Sequence, residues 1–203
     1  MKKITLLLLC FVGFAASAQV TFRPGIRAGV NFSNISHTNS VMRPDFYVGG
    51  TGAIKFTRFF TLQPELTYSR QGANNADMYM YNPNTGSDMI YKKDLEVQYL
   101  SFGLLSKITL TDSFNVHAGP FFDFETGSNF NSYNEVDMGI TAGIGYTLPF
   151  GLTIEGRVKK GIIDIVESDD DFFFFSDNSN NTNFTVQVGL AYSFDFKATG
   201  ATK

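Results

Sequence analysis

Apolar and polar residues alternate one by one along eight separate stretches of this chain, and that period constrains the fold more than any other feature. Side chains of an extended strand point to opposite faces in turn, so a period of two means strands with one apolar and one polar face. The stretches are Phe22–Ser33, Phe46–Phe56, Phe60–Arg70, Asp94–Leu110, Phe114–Glu125, Val136–Leu148, Leu152–Ile162 and Phe184–Phe196. In the first, Ile26, Ala28, Val30 and Phe32 oppose Arg27, Gly29, Asn31 and Ser33. In the last, Val186, Val188, Leu190 and Tyr192 oppose Thr185, Gln187, Gly189 and Ala191. The fourth stretch changes parity. Leu95, Val97 and Tyr99 fall on the face that Ser101 and Gly103 hold further on, so a bulge near Tyr99 is expected. No helical reading reproduces this pattern.

The links between stretches alternate as well. Residues 34–45, 71–92, 126–134 and 163–182 form the longer links. Thr57-Arg58, Thr111-Asp112-Ser113 and Pro149-Phe150-Gly151 form the short ones. Long and short connections in alternation are the signature of an up-and-down barrel with short periplasmic turns and longer external loops. Both chain ends then lie on the periplasmic side. Eight antiparallel strands close the smallest common barrel, and side chains fill an interior of that size, which disfavours a wide pore.

Which face lies inside decides between a soluble and a transmembrane barrel. The polar face combines small residues (Gly29, Gly49, Gly119, Gly139, Gly143, Gly145, Gly189) with opposite charges: Arg27, Lys55, Glu65, Lys107, Asp123, Glu125, Glu155 and Arg157, joined by His117. That mixture suits a narrow polar lumen in which charges must pair, because a lone buried charge is costly. The other face is rich in Phe, Ile and Leu and suits lipid. Tyr68, Tyr146 and Tyr192 lie towards strand ends, where interfacial aromatics belong. The expected fold is therefore all-β: an eight-stranded antiparallel up-and-down transmembrane β-barrel. Glu65 and Glu155 are expected to pair with Arg27, Arg157 or Lys107.

Composition agrees and removes other classes. The chain has 203 residues, 22 Phe, 9 Tyr, 19 Gly and no Trp. With 16 basic against 19 acidic side chains there is no broad basic face for nucleic acid. One Cys excludes a disulfide framework or a Cys-built zinc site. Lys2 and Lys3, the apolar run Ile4–Phe14 and Ala16-Ser17-Ala18 read as a secretory signal peptide over residues 1–18, with the mature chain starting at Gln19. Cys10 lies within the apolar run and leaves with it. Loss of Lys2 and Lys3 takes the formal net charge from −3 to −5. No later run of about 18 apolar residues exists, so a spanning helix is excluded and only a closed barrel remains for a membrane reading. Residues 19–196 form the barrel in this reading, and residues 197–203 a short periplasmic tail.

The order of several motifs adds a resemblance. GIRAGVNFS (Gly25–Ser33), LQPELTYSRQG (Leu62–Gly72), QYLSFGLLSK (Gln98–Lys107), HAGPFFDF (His117–Phe124), TAGIGY (Thr141–Tyr146) and LAYSFDF (Leu190–Phe196) follow one another. Together they resemble the PorT-like outer-membrane β-barrel domain family found widely in Bacteroidetes, over about residues 19–196. Gly103 departs from the proline common there in the fourth strand. The resemblance implies an outer-membrane, eight-stranded barrel, and such a barrel is expected to have the barrel-assembly machinery as its partner during insertion. Most family members have no assigned activity, and the namesake's role in protein secretion is not implied.

Chemistry-bearing groups are few. No metal spacing, phosphate loop or dinucleotide motif is present, and no cofactor is expected. His117, mid-strand and inward, lies near Asp123 and Glu125 by alternation and reads as a hydrogen-bonded lumen residue. His37 sits in the first external loop near Ser33 and Ser36. It is the one base available to an alternative reading, a lipid-modifying enzyme at the external rim. The last long link holds Asp169, Asp170 and Asp171, whose carboxylates suit either a solvated acidic loop or a divalent cation bridging lipopolysaccharide phosphates. Phe172, Phe173, Phe174 and Phe175 follow; they extend strands, plug the barrel mouth or contact a partner. The expected role is structural or surface-binding, with outer-membrane lipid, lipopolysaccharide and a surface or periplasmic protein as partners.

Overall fold

The computed structural model describes residues 21–36, 39–82, 87–130, 134–163 and 182–194. Eight strands run in chain order: β1 (Thr21–Ile35), β2 (Val41–Lys55), β3 (Phe60–Asn82), β4 (Ser87–Thr109), β5 (Phe114–Ser128), β6 (Val136–Thr147), β7 (Leu152–Gly161) and β8 (Asn183–Ser193). Each pairs antiparallel with the next, and β1 pairs with β8 to close the ring. Closure leaves no sheet edge around the wall, which is what a strand-built membrane span requires. The ring registers Gly29 with Gly189 and Val30 with Val188 at the seam.

The faces are inverted relative to a soluble barrel. Ile26, Val48, Leu66, Phe102, Phe122, Ile140 and Leu190 are all exposed on the outside, Ile140 at 65%. Arg27, Asn31, Glu65, His117, Asp123, Glu155 and Arg157 are buried inside. An apolar wall of this extent around a polar interior excludes a soluble barrel and fits hydrocarbon. Aromatic pairs line the wall. Phe102 meets Phe124 edge-on with centroids 5.9 Å apart, and Tyr192 meets Phe194 at 5.2 Å. Tyr146 and Tyr192 are exposed to the outside, while Tyr68 donates its hydroxyl to Gln98 at 2.8 Å.

Short turns close the end that holds the chain termini. In residues 56–59, the Thr57 hydroxyl accepts the amides of Phe59 and Phe60 at 3.2 and 3.0 Å. Thr111 accepts the Phe114 amide at 3.0 Å in the same way. These side-chain acceptors stand in for a missing backbone partner and fix the hairpins. Gly151, at φ 92°, supplies the left-handed residue of the β6–β7 turn.

Two expectations need correction. Residues 71–92 are not a long loop. β3 and β4 stay paired up to Asn82 and Ser87, so only residues 83–86 link them. β2 leaves β3 at Asn74, and β5 leaves β4 at Ser128. Beyond those points the hairpin continues as a two-stranded ribbon standing off the end opposite the termini. A register shift occurs near Tyr99 as expected, between Gln98 and Tyr99, and what needs correction is the expected change of face. Leu95, Val97 and Tyr99 are buried inward in phase with Ser101, so β4 does not reverse its faces there. The irregularity sits in the partner instead: Gln98 pairs with Gly127 but Tyr99 with Glu125, leaving Thr126 as the extra residue. The apolar inward side chains have a use. Leu95 packs with Ile35, Ala73, Ala76 and Phe130 into an apolar cluster that caps the lumen below the ribbon.

Candidate functional site: lumen and outer rim

Four inward charges meet in the lumen from strands far apart in sequence. Arg27 (β1), Glu65 (β3), Glu155 and Arg157 (β7) form a closed, charge-neutral quartet. Glu65 Oε2 accepts from Arg27 Nη1 at 2.9 Å and from Arg157 Nη1 at 2.7 Å. Its Oε1 accepts from Arg157 Nη2 at 2.9 Å and from Gln63 at 2.7 Å. Glu155 Oε1 accepts from Arg27 Nε at 3.0 Å, and Oε2 from Arg157 Nη2 at 2.8 Å. The carboxylate of Glu65 is thus fully used, and Arg157 grips it with two parallel bonds, the strongest form of such a contact. All four residues are at most 8% exposed. Tyr47 stacks under Arg27 with 4.5 Å from guanidinium carbon to ring centroid. Its hydroxyl reaches Glu155 at 3.4 Å.

Glycines make the room. At Gly143 on β6, a Cβ would stand 2.7 Å from both the Arg157 Cγ and the His117 Nε2. Large inward side chains on β5 and β7 therefore need a bare backbone on β6 between them, where Gly143 pairs with both His117 and Arg157.

A second layer lies towards the ribbon end. Lys159 Nζ donates to Asp123 Oδ2 at 2.8 Å and lies 4.1 Å from the Phe121 ring centroid. Ser101 also donates to Asp123. Asn31, Ser69, Gln71 and Gln187 continue the hydrogen-bonded filling; Gln187 donates to Asn31 at 2.9 Å and Asn31 to Ser69 at 2.9 Å. Between the two layers remains a cavity of about 20 Å³, lined by Arg27, Glu65, Ser101, Thr141, Arg157 and Lys159. That holds about one water. Among the described residues the lumen is filled at this level.

The expected charge network is therefore brought together only in part. Arg27, Glu65, Glu155 and Arg157 meet. Asp123 joins a different layer with Lys159. Lys55 and Lys107 have no ion pair among the described residues; the two arginines already satisfy both glutamates. Glu125 contributes no ion pair among the described residues either, and one of its carboxylate oxygens is buried without a hydrogen bond there. His117 is not beside Asp123 or Glu125. Asp123 lies six positions further along extended β5, and the His117 Nδ1 meets Asn115 Oδ1 at 3.3 Å. Among residues outside the expected network, Tyr47, Gln63, Lys159 and Asp137 take part in the filling. Asp137 stands opposite Asp123 in the β5–β6 register, under Gly161, where a Cβ would lie 2.7 Å from its Oδ1. Position on the inward parity was the available signal for all four.

An outer cluster went unforeseen. Arg43 donates to Glu96 at 2.6 Å, and Arg70 lies 3.5 Å from both Asp45 and Glu96. Arg70 also sits 5.8 Å over the Phe46 ring, which pairs with Tyr68 at 6.2 Å. Charges just beyond an aromatic pair mark the level where the apolar wall ends. His37, Asp169, Asp170, Asp171 and Phe172 to Phe175 lie outside the described residues, as do the signal segment and the C-terminal tail. Among the described residues no group of three His, Cys, Asp or Glu is placed to hold a metal ion.

Comparison with known proteins places this geometry. No curated protein matches the sequence. Among solved structures, the fold is similar to Neisserial surface protein A, at 12% identity and a TM-score of 0.52, covering 85% of this chain and 97% of that one. Ail, the attachment invasion locus protein of Yersinia pestis, matches at 10% identity and a TM-score of 0.46, over 85% and 98% of the two chains. OprG from Pseudomonas aeruginosa matches at 13% identity and a TM-score of 0.43, over 85% and 94%. The model of one sequence family, the outer membrane protein beta-barrel domain, matches residues 17–167, most of the chain. The protein is a small outer-membrane β-barrel and belongs to the outer membrane protein beta-barrel domain family.

Proposed function

We propose that this barrel serves a structural or surface-binding role, with its working surface at the ribbon end. The observation that carries this reading is the filled lumen. Among the described residues a neutral quartet, a second polar layer and an apolar cap leave space for about one water, so no solute path or substrate pocket is open through the part of the lumen they fill. The groups left for recognition are those at the rim and beyond it. In this reading residues 1–18 direct export and are removed, the barrel-assembly machinery inserts residues 19–196, and residues 197–203 remain periplasmic. The family-level assignment is narrowed to the PorT-like barrels by the motif order from GIRAGVNFS to LAYSFDF. Lipopolysaccharide and lipid surround the apolar wall, and the Arg43–Asp45–Arg70–Glu96 cluster lies at headgroup level.

The test compares two variants in cells. Deletion of Asp169 to Phe175 is expected to alter surface binding or barrier function while the folded barrel persists, because an external link carries few ladder hydrogen bonds. His37→Ala is expected to be silent. Loss of a lipid modification on His37→Ala, with the deletion silent, would overturn the reading in favour of a rim enzyme. Steady conductance of purified barrels in planar bilayers would overturn the closed lumen.

A further inference from the structure

The ribbon beyond the barrel carries an edge that matches itself. β4 pairs with β5 only from Val97 onward. Just above, Asn129 takes over as a cap. Its amide donates to the Glu96 carbonyl at 3.1 Å, its Oδ1 accepts the Glu96 amide at 2.9 Å, and its Nδ2 donates to the Asp94 carbonyl at 2.9 Å. These bonds show which main-chain groups face away from β3: those of the even-numbered residues. The register of β4 against β3 shifts only at an extra residue in β3, between Ala73 and Ala76, so β4 keeps this parity upward. The amides and carbonyls of Asp88, Ile90 and Lys92 therefore point out of the ribbon edge, where no strand lies among the described residues. Met89, Ile90 and Tyr91 are exposed there, Ile90 at 61%.

A row of outward amides and carbonyls on an exposed apolar strand is a template for another strand. The sequence says which one. Read antiparallel about Ile90, the segment Ser87-Asp88-Met89-Ile90-Tyr91-Lys92-Lys93 faces itself with Ile90 on Ile90, Met89 on Tyr91, and Asp88 on Lys92. The pairs at 88, 90 and 92 are the hydrogen-bonded ones, so all the outward groups of these residues find partners. The acidic residue stands opposite the basic one on both sides of the axis, and opposite charges directly across a ladder attract. The β3 edge has no such match, since Asp77 is the sole charged residue between Asn75 and Asn82.

We infer that the ribbon edge at Asp88–Lys92 binds a second copy of this chain, antiparallel about a two-fold axis at Ile90, and that the second copy sits in a facing membrane. The second clause follows from strand direction. Barrel strands tilt about 35–45° from the membrane normal. Two copies related by an axis along that normal would cross their strands at roughly 70–90°, far from the antiparallel arrangement a ladder needs. Copies from facing membranes meet ribbon to ribbon and satisfy it. The inference rests on the surface-binding reading for the role of the ribbon end, and makes that surface homotypic.

Cysteine scanning in the full chain, carrying Cys10→Ser so that each introduced thiol is the sole one, tests the register. Paired residues on a hydrogen-bonded antiparallel rung have Cα atoms about 5.5 Å apart, within disulfide range. Ile90→Cys refolded in detergent and treated with a copper oxidant is expected to give a disulfide-linked dimer. Asp88→Cys and Lys92→Cys alone are expected to give none, because each lies roughly 13 Å from its own copy. Mixed together, these two are expected to cross-link. Equal cross-linking by all single variants, or none by Ile90→Cys, would overturn the register, the latter leaving the edge to an extended segment of another protein. Proteoliposomes test the facing arrangement: clustering of vesicles is expected with the native ribbon and is expected to fall at least tenfold with Ile90→Pro, which lacks the edge amide, while heat-modifiable gel mobility shows the barrel intact. Asp88→Lys is expected to abolish clustering and Asp88→Lys with Lys92→Asp to restore it. Cross-linking at 90 without clustering would refute the facing-membrane geometry alone, and neither result depends on conductance or on His37.

Discussion

Removing Glu65 should be among the most damaging single changes to this barrel. Its carboxylate accepts four hydrogen bonds, three of them from guanidinium groups. Glu65→Ala leaves Arg27 and Arg157 sharing only Glu155, a net buried positive charge. Breaking a buried ion pair from one side typically costs about 3–5 kcal/mol. The adjoining cavity holds about one water, too little to hydrate a stranded guanidinium, so relief by solvent is small. We therefore expect a loss of about 3–5 kcal/mol for Glu65→Ala. Glu65→Gln keeps the shape and should lose less. Adding Arg157→Met to Glu65→Ala restores a neutral pair of Arg27 and Glu155, so the double variant should recover a large part of the loss rather than sum two penalties. The assay is reversible urea unfolding of the refolded protein in lipid vesicles, followed by circular dichroism or by the fraction of folded band on unheated gels. Losses under about 1 kcal/mol for Glu65→Ala and Arg157→Ala alike would refute a dry, paired lumen.

Three further outcomes follow from the same geometry. The closed ladder should resist detergent, so unheated protein is expected to migrate differently from boiled protein in SDS gels; identical migration and recovery in the soluble fraction would contradict the membrane barrel. Gly143→Val drives a side chain into the Gly156 carbonyl, Arg157 and His117, and overpacking of this kind should cost about 1–3 kcal/mol by the same unfolding assay. Leu66→Arg sets a charge on the lipid face beside the quartet's level and should cost about 2–4 kcal/mol in vesicles, whereas Leu66→Phe should be near neutral.

The wall of this barrel is legible in the sequence because its physics is local. A period of two needs only neighbouring residues to be seen, and it assigns every strand its lipid and lumen face, from Ile26 and Arg27 to Leu190 and Gln187. The contents of the lumen are less legible. Parity places a residue inside, but the level at which it sits depends on strand tilt and stagger, which the ring closure sets globally. Hence Arg27 finds Glu65 and Glu155 across the barrel, while His117 and Asp123, on one strand and one face, end up six residues apart. Parity read without level also hides why Leu95, Val97 and Tyr99 point inward. An apolar side chain on a polar face reads as a change of face, when Leu95 in fact packs with Ile35, Ala73 and Ala76 as the apolar cap of the lumen.

The length of the ribbon was hidden for a related reason. Asn74-Asn75 and Asn82 to Gly86 are turn-forming residues, so the stretch from 71 to 92 reads as a loop. Asn75 instead takes the left-handed conformation at φ 55° within a strand, with the Asp94 carboxylate accepting its amide at 2.9 Å. The turn signal is thereby spent on a bulge, and pairing resumes above it. A two-stranded ribbon in water is marginal by itself. Its continuity with the barrel ladder supplies one anchor, and the Asn129 cap on β4 a second. What those anchors leave over is the edge at Asp88, Ile90 and Lys92, where strand pairing stops before the strand does. A folded lumen accounts for stability and a lipid wall for location; among the described residues that edge serves neither, and the proposed strand pairing takes place there.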